Sequence, residues 1–106
     1  MISIQDFKNC EMVIARILEV TEHPDADKLY LLKVDTGKET KQLVAGIRPS
    51  YPKEELVGRL IVVVNNLQPA VIRGQESQGM ALAVTDEKGI VLLKPDRDVP
   101  LGSIVR

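Results

Sequence analysis

Side chains able to make specific polar contacts collect in one stretch of the chain, Asn66 to Val84 (NLQPAVIRGQESQGMALAV), where one Pro and two Gly interrupt the sequence between two strongly apolar runs. Asn66 and Ser77 can each donate and accept hydrogen bonds, Arg73 carries a fixed charge on a planar fork of donors, and Met80 adds a soft apolar contact. An Arg fork beside uncharged donors suits phosphate and 2′-hydroxyl contacts on folded RNA, so the stretch reads as a binding surface. Gly74 and Gly79 are read as serving backbone geometry.

Catalytic readings of the same residues fail on spacing. The segment Gly74 to Gly79 (GQESQG) resembles a nucleophile elbow, but Gln75 stands where G-x-S-x-G needs its first Gly, and His23 is the only histidine. The glycine spacing also fits a phosphate-binding loop, yet Met80 occupies the position of the phosphate-binding Lys. His23, Asp25 and Asp27 alternate in HPDAD, but the Gly and distant Glu of a calcium loop are missing, and there is no second ligand cluster. The reading is therefore a turn fixed by Pro24, with Asp25 or Asp27 accepting from nearby backbone amides. Lys28 closes this loop, as a solvated charge or as a cation aimed at a phosphate. No catalytic residue, metal or cofactor is called for.

Bulk composition limits how nucleic acid could be held. Fourteen Lys plus Arg stand against fifteen Asp plus Glu among 106 residues, so any nucleic acid must be held by a local patch. Phe7, Tyr30 and Tyr51 are the only aromatics, too few for a protein that stacks successive single-stranded bases. The N-terminus lacks the basic and long apolar regions of a signal peptide, and no apolar run approaches a membrane span, which places the chain in the cytoplasm with no membrane partner. Cys10, the single cysteine, is expected to be a structural thiol.

The elements that must position these groups are mostly strands. Ser3 and Asp6 form a capping box before a turn of helix that turns Phe7 inward. Met12–Val20 is rich in β-branched residues and long enough for a strand that bends. Leu29–Asp35 places Tyr30, Leu32 and Val34 on one face, and Thr36, Gly37 and Lys38 turn the chain into a strand at Lys41–Ala45. A short helix is expected between Gly46 and Gly58, with Ser50 or Tyr51 as cap and Pro52 in its first turn. Leu60–Val64 (LIVVV) reads as a buried central strand, followed by strands at Met80–Val84 and Ile90–Leu93. The Pro-containing tail is expected to lie as an irregular segment along the domain edge. All 106 residues then form one all-β domain with the element order of a five-stranded Greek-key barrel of the oligonucleotide/oligosaccharide-binding (OB) type. A short helix joins strands 3 and 4, and the C-terminal segment is extended.

Five ordered segments, HPDADKLYLLKVDTG, LVAG, PKEELVG, VNNLQPAVIRGQESQGMALA and PDRDVPLGSIV, resemble the tRNA-binding domain family over nearly the whole chain. That family includes the C-terminal domain or β subunit of methionyl-tRNA synthetases, free-standing structure-specific tRNA-binding proteins, EMAP II-like cytokine precursors and a bacterial secretion chaperone. The resemblance implies an OB barrel that acts as a non-catalytic homodimer and recognises the outer corner of folded tRNA by shape. It places Lys28, Asn66, Ser77 and Met80 at RNA-facing positions, with Arg73 in the stretch between them. Lys33 and Arg48 join as cations near the same strands. It also implies a methionyl-tRNA synthetase catalytic chain as a partner, with a peptide-binding chaperone as the rival on the same fold. Relatives often read NLKP with further Lys, whereas this chain has Gln68 and Val71. Fewer phosphate contacts imply a modest affinity, each contact contributing a salt slope of about 0.9 on duplex DNA.

Overall fold

A strand whose outward positions are as apolar as its inward ones must be covered on both sides, and Leu60–Val64 meets that condition with all five residues buried. In the computed structural model, which describes residues 1–106, this strand is β4 and pairs antiparallel with β1 (Met12–Glu22). Strands β2 (Tyr30–Asp35), β3 (Thr40–Ala45) and β7 (Met80–Ala81) complete a sheet in the order β3-β2-β1-β4-β7. The inner face packs Val13, Ala15, Ile17, Tyr30, Leu32, Val34, Leu43, Ile61 and Val63 into one core. Fully burying a Leu, Ile or Val of this kind contributes about 1.5–3 kcal/mol. A register shift between Ile17 and Glu19 bends β1, as its length predicts, so that its first half pairs with β4 and its second half with β2.

The outer face of β1 and β4 forms a second core of Met12, Ile14, Leu60, Val62 and Val64. Phe7 from α1 (Ile4–Lys8), Leu82, Val99, Leu101 and Val105 cover it. The tail therefore packs along the barrel wall, ending in β10 (Ile104–Val105) beside β1. The capping box forms, with Asp6 N donating to Ser3 Oγ at 3.0 Å and Ser3 N donating to Asp6 Oδ2 at 3.4 Å. Cys10, expected as a structural thiol, is exposed; its backbone N–H caps the Phe7 carbonyl and its sulfur reaches the surface.

The short helix expected between strands 3 and 4 is present as a single 3-10 turn, Lys53–Glu55, and two details around it and β7 are corrected: its candidate caps are used elsewhere. Ser50 Oγ accepts from Ile90 N at 3.0 Å and Tyr51 Oη accepts from Leu92 N at 3.0 Å, both in β9 (Gly89–Leu92). Pro52 takes the N-cap position in an extended conformation with no side-chain cap bond. The strand expected at Met80–Val84 divides at Leu82, which packs on the outer core, and β8 (Ala83–Asp86) leaves the barrel to pair with β9 as a separate hairpin.

Closure of the barrel is made largely by side chains. Val44 N donates to Ser77 Oγ at 3.0 Å, Gln42 N donates to Gln78 Oε1 at 2.9 Å, and Gln78 N donates to Gln42 O at 2.8 Å. These bonds satisfy the open edge of β3, which would otherwise expose unpaired donors. Gly79 permits the approach: a Cβ there would lie 2.8 Å from Val64 O. The result is a nearly closed five-stranded barrel of the OB type.

Candidate nucleic-acid interface

The stretch after β4 is a hairpin in its own right, β5 (Ala70–Ile72) paired with β6 (Gln75–Ser77). Its two-residue turn, Arg73–Gly74, has φ of 52° and 86°. Positive φ at both central residues is the type I′ geometry that matches the twist of paired strands, and Gly74 adopts it freely. Arg73 does not, and it is the only non-glycine residue in the protein with positive φ.

What holds Arg73 there is the loop on the opposite side of a cleft, residues 23 to 28. Arg73 Nη2 donates to Asp25 O at 2.9 Å. His23 is 3% exposed and bridges the two segments: its Nδ1 accepts from Asp25 N at 3.0 Å, and its Nε2 lies 3.2 Å from Ile72 O. Because Nδ1 accepts, the ring proton sits on Nε2 and donates to Ile72. The expectation that Asp25 or Asp27 fixes this loop is thus corrected. The imidazole does so, and neither carboxylate makes a hydrogen bond to a backbone amide, leaving both at the surface.

Lys28 and Arg73 line the resulting cleft together with Asp25, Ala26, Asp27 and Leu29. Lys28 is exposed and makes no ion pair, the four ion pairs of the protein belonging to Lys33, Lys41, Arg48 and Lys53. Arg48 joins the rim, with Nη1 donating to Ala26 O at 3.5 Å, but its charge is paired with Glu22 at 2.9 Å. Lys33 stands apart on β2, 3.8 Å from Glu19. Of the four cations expected near the site, three converge and one does not.

The uncharged candidates divide differently. Asn66 uses both ends of its amide internally: Oδ1 accepts from Glu11 N at 2.9 Å and Nδ2 donates to Asn9 O at 2.8 Å, tying α1 to β4. Ser77 is 5% exposed, and beyond accepting from Val44 its hydroxyl donates to Gly79 O at 2.9 Å. Met80 is 48% exposed and borders a shallow apolar groove with Val44, Ile47, Ala83 and Ile90. The site therefore offers two cationic heads without an ion pair and one apolar patch, while Asn66 and Ser77 hold the frame.

This arrangement lies within a family pattern that covers most of the chain: the model described as "Putative tRNA binding domain" matches residues 12–104. The chain belongs to the tRNA-binding domain family. Among curated proteins the domain is similar to the methionine–tRNA ligase of Pyrococcus horikoshii, 47% identical over 105 residues, and to that of Methanococcus aeolicus, 50% identical over 105 residues. Each alignment covers 99% of this chain but only 14% and 16% of the respective ligase, so the domain corresponds to a small part of those proteins. Among solved structures it is similar to a MetRS-related protein from Pyrococcus horikoshii (TM-score 0.92, 32% identity, covering 100% of this chain and 98% of that one). It is equally close in shape to the CsaA chaperone from Picrophilus torridus (TM-score 0.93, 31% identity, with both chains covered in full).

The sequence reading missed His23 as the organiser of the site. The signal was present, since a lone histidine immediately before a Pro in a turn has the backbone N–H two residues on within reach of a ring nitrogen. What could not be read was its second partner, Ile72, which lies 49 residues away.

Proposed function

We propose that the domain binds the outer corner of folded tRNA by shape, without catalysing a reaction, and that it acts as a homodimer. The observation that carries the RNA reading is Arg73, held at positive φ across from the unpaired Lys28 in one cleft. A strained backbone persists only where its surroundings enforce it, and such outliers cluster at binding sites. Asp25 and Asp27 balance the two cations of this cleft, so affinity comes from individually placed contacts and not from bulk charge. Lys28 and Arg73 contact phosphate, and Met80 contacts ribose or a base edge. Arg48 and Lys33 contribute less, being paired with Glu22 and Glu19. Asn66 and Ser77 act by holding the segments that carry these groups.

Dimerisation is supported by a separate surface. No residue of α1 is fully buried, and Ile4 and Ile104, 69% and 60% exposed, line the groove between α1 and β10. Contiguous exposed apolar side chains of this kind mark protein contacts. Given the ligase relatives, the domain adds tRNA affinity to an aminoacylation site carried by a methionyl-tRNA synthetase catalytic chain. The likeness to a chaperone, together with the apolar groove beside Met80, supports peptide binding as the second reading.

The test is a filter-binding titration with intact folded tRNA, the same tRNA unfolded, and a matched single strand, at two salt concentrations. A preference for the folded form, weakened by Lys28→Ala, is the expected result. Equal binding of all three RNAs, or none at low salt, overturns the reading in favour of the peptide.

A further inference from the structure

A second cationic cleft lies on the barrel wall, away from the His23–Lys28 loop. It has a volume of about 280 Å³ and is lined by Arg16, Arg59, Lys94 and Arg97 with Asp96 and Asp98. Arg16 sits six residues before the end of β1, at Glu22, which puts it roughly 20 Å from the loop at the usual rise per strand residue. None of the four cations has a carboxylate within ion-pair distance, since every ion pair in the protein belongs to another Lys or Arg. Asp35, directly across the ladder from Arg16, turns its carboxylate away to accept from Gly37 N at 2.8 Å.

Two of the cations are also held in place. Arg16 is half-buried with Nη1 donating to Gly58 O at 2.8 Å. Arg59 is half-buried, donates from Nε to Glu55 O at 3.2 Å and lies 5.1 Å over the Tyr51 ring. Each guanidinium has five N–H donors and uses one, so fixed donors remain without a partner anion. Lys94 and Arg97 are exposed and make no hydrogen bond or ion pair, leaving their charges available at the rim.

The geometry points to this cleft as a second RNA backbone site, binding phosphodiester through the four cations and ribose 2′-hydroxyls through Asp96 and Asp98. The inference rests on the tRNA reading above and extends its footprint along the barrel wall to the middle of β1. Half-buried, pre-oriented guanidinium groups suit bidentate phosphate contacts. The two carboxylates decide between RNA and an acidic protein segment. They repel either polyanion, but RNA offsets this with a 2′-hydroxyl donor beside every phosphate, whereas the side chains of an acidic segment carry no donor.

Lys94→Gln with Arg97→Gln tests this without disturbing the fold, because neither side chain bonds to the protein. The double variant should melt like the wild type, bind folded tRNA about 3- to 10-fold more weakly, and lower the slope of log affinity against log salt by about 1 to 2. Wild-type affinity and slope in the double variant overturn the inference, as does loss of binding to polyglutamate with RNA binding unchanged. Lys28→Ala is measured alongside. If it weakens binding while the double variant does not, the second site fails alone; if the wild type does not distinguish folded tRNA, the functional reading fails and this inference falls with it.

Discussion

The two ends of the barrel solve opposite problems. At the end formed by the His23–Lys28 loop and the β5–β6 hairpin, backbone polar groups are paired by side chains, through His23 to Asp25 and Ile72, Arg73 to Asp25, and Ser77 to Val44 and Gly79. The cationic heads are what project. At the end formed by α1 and β10 the backbone groups are likewise paired, by Asn66 and the Ser3–Asp6 box, but Ile4 and Ile104 project instead of cations. On the proposed reading, the first surface takes an anion and the second is covered by another apolar surface. The contrast indicates that polar side chains near a binding site are often consumed in building it, so residue type alone does not say which of them meet the ligand.

Breaking the apolar end should have the largest effect. Ile4→Glu with Ile104→Glu places two charges in the contact and should weaken self-association by more than about 100-fold, since desolvated unpaired charges are costly. Sedimentation should show a monomer whose melting temperature, measured at a concentration where the wild type is also dissociated, is unchanged. Monomeric wild type at micromolar concentration would remove the assignment of this surface.

The polar end should respond in stability first. Ser77→Val removes the hydroxyl shared by Val44 N and Gly79 O in a buried position, and unpaired buried groups of that kind cost about 1–3 kcal/mol. Denaturant unfolding should register the loss. His23→Phe leaves Asp25 N and Ile72 O unpaired for a similar cost, and it should also weaken RNA binding, because the loop carrying Lys28 is no longer held against the hairpin carrying Arg73. An unchanged RNA affinity in that variant would separate the cleft from the binding site.

Smaller effects grade the cations. Lys28→Ala should weaken binding of folded tRNA by about 3- to 10-fold with no change in stability, and it should reduce the salt slope by about 1, as expected for one phosphate contact. Lys33→Ala should change affinity less than about twofold, since its charge is exposed and already paired with Glu19, and an exposed pair contributes about 0–1 kcal/mol. A Lys33 effect equal to that of Lys28 would move the interface along β2.

Patterns that depend on local periodicity were legible without the fold. Tyr30, Leu32 and Val34 alternate inward, the unbroken apolar run Leu60–Val64 is buried on both faces, and Ser3 with Asp6 forms the cap it spells. The short helix after Gly46 was legible but its cap was not, because capping by Ser50 or Tyr51 competes with bonds to Ile90 and Leu92, 40 and 41 residues further along, that no local window contains. The same limit governs the site. Lys28 and Arg73 could be singled out by type, but their meeting in one cleft depends on His23 reaching Ile72.

The sequence by itself determined the main barrel strands at Met12–Val20, Leu29–Asp35, Lys41–Ala45 and Leu60–Val64, and that no bulk charge would hold a nucleic acid. Those properties follow from hydrophobic period, backbone preference and composition, all of which act over a few residues or over the whole chain at once. Only the tertiary structure decided which polar groups are free. A hydrogen bond satisfies one group by occupying another, and whether Asn66, Ser77 or Arg48 has a donor left to offer depends on neighbours brought from 22 to 57 residues away. Arg16, Arg59, Lys94 and Arg97 share one cleft for the same reason: strands and tail gathered them from three separate segments and brought no carboxylate within ion-pair distance.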